Sequence, residues 1–116
     1  SPVGQGRDMT DKTDLAVLCQ LAGLTAEKSA ARLARIQSLI DTLEGKAADL
    51  RRAAPAAPVS ITEAVMRDRW HRWRTQQITL LNMQVARLQA VAQPQREVHA
   101  RNTARNAVLE KLSKKR

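Results

Sequence analysis

The sequence predicts an all-α protein, a long antiparallel two-helix coiled-coil hairpin. Three observations predict it. Large apolar residues recur at steps of three and four in two long stretches, which on a helix gathers them on one side. A single Pro-rich interruption around Pro55 and Pro58 separates the two stretches. The chain also has no Phe, no Tyr and only two Trp, so it lacks the aromatic bulk that fills a sandwich or α/β core. Four Gly and four Pro in 116 residues leave few of the turns an all-β fold requires.

Residues 1–10, SPVGQGRDMT, have no apolar period and read as a disordered lead-in. A single hairpin follows over residues 11–114, with Asp11, Thr13 or Asp14 available to cap its first helix. That helix, 11–53, carries a heptad seam through Leu15, Cys19, Ala22, Ala26, Ser29, Leu33, Ile36, Ile40, Leu43, Ala47 and Leu50. Its first half is built from small residues, which lets two helices approach closely. Gly23 is the one place where the helix could break, yet a single Gly costs only about 1 kcal/mol.

The Pro-rich turn, 54–60, ends the first helix because proline lacks an amide donor and biases its predecessor away from helical geometry. Ser60-Ile61-Thr62-Glu63 then forms a capping box, with the Ser60 hydroxyl on the Glu63 amide and the Glu63 carboxylate reaching back to Ser60. The second helix, 61–114, opens with Trp70 and Trp73 and continues through Ile78, Leu81, Val85 and Leu88. Pro94 predicts a kink or a break. Beyond it apolar seam residues are few until Val108, Leu109 and Leu112.

A short loop brings two such helices back side by side. Pairing Ile36 with Ile78 also sets Leu33 against Leu81, Ser29 against Val85, Ala26 against Leu88 and Ala22 against Ala92. With a one-residue drift from this register Trp70 and Trp73 fall opposite Leu43 and Ile40, and residues beyond about 103 overhang.

The formal net charge is +9, divided very unequally. Residues 1–59 hold eight basic and seven acidic side chains, whereas residues 60–116 hold twelve and four. Nucleic acid, acidic lipid and acidic protein are therefore candidate partners. The cations are scattered around the second helix: Arg67, Arg74 and Arg96 do not share one stripe with Arg69, Arg87 and Arg105. A groove-reading helix concentrates them on one face, so only nonspecific nucleic-acid attraction at low salt is expected. A basic nucleic-acid-binding helix and a generic coiled-coil oligomerisation module stand as alternative functions.

No chemistry is indicated. The sequence has no phosphate-binding Gly loop, no Cys pair and no HExxH, and His71 and His99 read as solvated or seam-edge histidines. No enzyme activity, cofactor or metal is expected. Cys19 stands alone and reads as a small buried hydrophobe. No apolar run approaches the roughly 20 residues of a membrane span, so a cytoplasmic protein with no membrane insertion is expected. Trp70 and Trp73 either fill the hairpin near its turn or leave one indole exposed as a partner anchor.

Asp14-Leu15-Ala16-Val17-Leu18 through Glu27-Lys28-Ser29-Ala30-Ala31-Arg32-Leu33 is similar to the opening pattern of the FliJ/YscO family, small coiled-coil proteins of flagellar and injectisome type III export. Arg69-Trp70, Trp73, Gln76-Gln77-Ile78 and Leu81 resemble that family's second-helix start, and Leu109-Glu110-Lys111-Leu112 fits its close. The resemblance spans residues 14–112. It implies a non-catalytic rod similar to the coiled coil of a rotary ATPase γ subunit, which couples the export ATPase ring to the export gate, escorts export chaperones, or does both. Such a protein would sit in the cytoplasm at the inner-membrane export apparatus. By that analogy the basic residues Arg105, Lys111, Lys114 and Lys115 would lie at the ring-inserting end. Trp70, Arg72, Trp73 and Arg74 would lie towards the other end, as a gate contact.

Overall fold

In the computed structural model the chain is an all-α antiparallel hairpin of two helices, α1 (Pro2–Arg52) and α2 (Ile61–Lys114). The structure describes the backbone of residues 2–115 and the side chains of residues 11–115. It divides into two compact units, each crossed by both helices. The first joins the N-terminal part of α1, to Ala34, with the part of α2 from Gln93 onward; the second is Arg35–Ala92.

α1 differs from expectation at its start. It begins at Pro2, so the lead-in is helical and Asp11, Thr13 and Asp14 lie inside the helix rather than capping it. The physics permits this: proline is at home in the first turn of a helix, and adding turns to an existing helix is far cheaper than nucleating one. The helix is also continuous through Gly23.

The seam of α1 follows the heptad frame. Ala22, Ser29, Ile40 and Ala47 are buried, and Leu15, Cys19, Ala26, Leu33, Ile36, Leu43 and Leu50 are half-buried. The frame of α2 continues past Leu88 without a slip, through Ala92, Gln95, His99, Asn102, Asn106 and Leu109, all buried or half-buried. The second helix therefore keeps its seam beyond Pro94, but builds it from polar residues. Pro94 itself is exposed and sits inside the unbroken helix.

In the first unit the register differs from the one expected. Ser29 Oγ lies 2.6 Å from His99 Nδ1, where Val85 was expected, a displacement of two heptads. The Cys19 thiol donates to the Leu109 carbonyl at 3.3 Å in the same register. Residues beyond 103 consequently do not overhang: Arg105 and Leu109 line a groove with Leu18 and Leu21, and Leu112 lies near Leu15.

The second unit also departs from the expected register. Ala53 lies beside Arg74, whose Nη1 donates to the Ala53 carbonyl at 3.1 Å, not beside the start of α2. Pro55, Ala56, Ala57 and Pro58 line a groove with Glu63, Met66, Arg67 and Trp70. The non-helical segment thus runs back along the first turns of α2. An extended residue advances about 3.1–3.4 Å and a helical one 1.5 Å, so this short strap spans roughly twice its own number of helical residues.

The capping box forms with one change of partner. The Glu63 amide donates to Ser60 Oγ at 3.1 Å, and the Ala64 amide to the Ser60 carbonyl at 3.0 Å. The Glu63 carboxylate, however, accepts from the Val59 amide at 2.8 Å rather than from Ser60.

Candidate partner-binding site

The site residues named from sequence fall into two groups, one in each unit. In the second unit the strap fixes the first of them. Trp70 is half-buried and lines a groove with Pro55 and Pro58, with the Arg74 guanidinium 5.0 Å from its ring centroid and His71 edge-on at 5.1 Å. Arg74 therefore does two things: it holds the strap through Ala53 and stacks on Trp70. Both residues are structural in large part. The expected pairing of Trp70 and Trp73 with Leu43 and Ile40 belongs to the register the structure does not adopt; Trp70 lines a groove with the strap instead, and Trp73 does not.

Trp73 behaves differently. It remains 48 % exposed, and Val65 and Met66 on the opening turns of α2 are exposed as well. Arg72 pairs with Asp68 one turn back, and both are largely exposed, so the pair adds little stability. Arg69 is exposed as well. Arg67 Nε is buried without a hydrogen-bond partner among the described residues. Of the two tryptophans, Trp70 is the more enclosed and Trp73 the more exposed.

In the first unit Arg105, Lys111, Lys114 and Lys115 are all exposed. Arg105 stands at the rim of the groove lined by Leu18, Leu21, Ala22, Thr25, Asn102 and Leu109. This basic segment is docked along α1 and is not a free extension.

Sequence reasoning missed the polar seam of the first unit. His99, expected as a solvated or seam-edge histidine, bonds Ser29, which is 4 % exposed and in turn donates to the Ala26 carbonyl at 2.9 Å. The signal was present as an unbroken three-four frame through Gln95, His99, Asn102 and Asn106, hidden because those residues are not apolar. Among the described residues no group of three or more His, Cys, Asp or Glu could hold a metal ion. No helix among them is long and apolar enough to cross a membrane.

No family model, curated protein or solved structure matches the chain.

Proposed function

We propose that the chain is a non-catalytic helical stalk that binds protein partners, coupling the ATPase ring of a type III export apparatus to its export gate and escorting export chaperones. One observation carries this reading: each unit presents its own exposed contact set. The second unit offers Trp73 with Arg69 and Arg72, and the first offers Arg105, Lys111, Lys114 and Lys115. Trp and Arg are the residues most enriched at interface hot spots, and a separate set in each unit suits a protein that connects two partners. The resemblance at residues 14–33 and 69–81 supplies the identity of those partners.

The test is binding of the full chain to the export ATPase at physiological salt. Replacing Lys111, Lys114 and Lys115 together by Glu should weaken ATPase binding at least about tenfold, while Trp73→Ala leaves it unchanged and weakens binding to the gate instead. ATPase binding that survives the triple reversal overturns the mechanism. Sequence-selective nucleic-acid binding that persists at physiological salt would favour the basic-helix alternative.

A further inference from the structure

On α1, next to the seam, a second stripe runs through Asp11, Asp14, Leu18, Leu21, Thr25 and Lys28, again at steps of three and four. It is exposed throughout: Leu18 is 51 % and Leu21 55 % accessible. Together with α2 it forms a continuous apolar groove. One end is lined by Asp11, Asp14, Leu15, Leu18 and Leu112. The other, sharing Leu18, is lined by Leu21, Ala22, Thr25, Asn102, Arg105 and Leu109.

The groove is bipolar. Two carboxylates stand at one end, and Arg105 and Lys28 stand at the other, with leucines between. None of these four charged residues has an ion-pair partner among the described residues. A stripe ordered acid, acid, Leu, Leu, Thr, Lys is complementary to itself read backwards. A two-fold axis between Leu18 and Leu21 would place Leu18 against Leu21 of the second copy, Asp11 against its Lys28, and Asp14 beside its Arg105. Such an isologous contact makes each of these pairings twice.

We propose that this groove is a self-association surface, occupied by the same groove of a second copy lying antiparallel to form a local four-helix bundle. The leucines supply the apolar burial, and the charges select the antiparallel arrangement over the parallel one, in which Asp11 and Asp14 would face their own copies. The inference does not rest on the export reading, since it uses only residues of the first unit and a second copy of the chain.

The experiment is sedimentation equilibrium of the full chain across a concentration series, at physiological salt and with reductant to keep Cys19 free. The expected mass rises from 12.9 kDa towards twice that value. Leu18→Glu, which faces an apolar residue across the axis, should abolish the rise while helicity by circular dichroism stays unchanged. Asp11→Lys and Lys28→Asp should each weaken the dimer at least about tenfold, and the two together should restore it to within about threefold. Trp73→Ala, in the other unit, should have no effect. A single-chain mass throughout, a dimer insensitive to Leu18→Glu, or a double reversal that fails to restore association would each overturn the proposal.

Discussion

Ser29 Oγ and His99 Nδ1 meet at 2.6 Å inside the helix–helix seam. Ser29 is almost fully enclosed, and its hydroxyl also bonds the Ala26 carbonyl. With its own proton on Ala26, the Ser29 oxygen accepts from the imidazole N–H. A buried polar pair of this kind stabilises modestly but specifies pairing strongly. In a seam with a seven-residue repeat, it distinguishes His99 from Val85 and Ala92, which occupy equivalent frame positions.

Ser29→Ala should therefore destabilise the chain by about 1–2 kcal/mol, because the imidazole N–H loses its acceptor. Adding His99→Leu should recover most of that loss, since both members of the polar pair are then gone. Urea unfolding followed by circular dichroism measures both. A double variant less stable than the single one would show that the pair is not a coupled unit.

The register itself can be read by cross-linking. With Leu109→Cys, a short bis-maleimide should join Cys19 to the new thiol within one chain, because Cys19 Sγ already touches the Leu109 carbonyl. With Gln95→Cys, the partner in the register that sequence pairing favours, no intramolecular product is expected.

The two tryptophans should separate cleanly. Trp70→Ala removes a ring that lines a groove with the strap and lies under Arg74, for a loss of about 2–3 kcal/mol. Trp73→Ala, at a half-exposed position, should cost less than about 1 kcal/mol. In single-tryptophan variants, acrylamide should quench Trp73 more strongly than Trp70. Equal quenching would contradict the assignment of one more enclosed and one more exposed indole.

Pro94 is exposed within an unbroken α2 and cannot donate to the Ala90 carbonyl. Pro94→Ala should raise stability by about 1–3 kcal/mol, seen as a higher Tm. A lower Tm would mean that the missing hydrogen bond is compensated by packing that Ala cannot supply.

Some of this architecture was legible before any coordinates. Periodicity alone placed every α1 seam residue from Leu15 to Leu50 on the less exposed side, because a step of three and four maps directly onto one helix face. Ser60 and Glu63 placed the start of α2 through purely local hydrogen bonds. The α2 seam was legible only while it stayed apolar, so Gln95, His99, Asn102 and Asn106 were overlooked.

Of the proposed site, sequence named both tryptophans and the C-terminal cations, but not which tryptophan would be the more enclosed. That depended on the strap between Ala53 and Ser60, whose path along α2 no periodicity encodes.

What the amino-acid sequence determined by itself was therefore local and periodic: two helices, their boundaries at the turn and the face each one buries. What only the tertiary structure decided was the register. A heptad seam looks the same after a slide of seven residues, so the choice falls to terms that are not periodic. Here these are, in the second unit, a proline-containing strap held by Arg74 and, in the first, the cross-helix bonds of Ser29 with His99 and of Cys19 with Leu109.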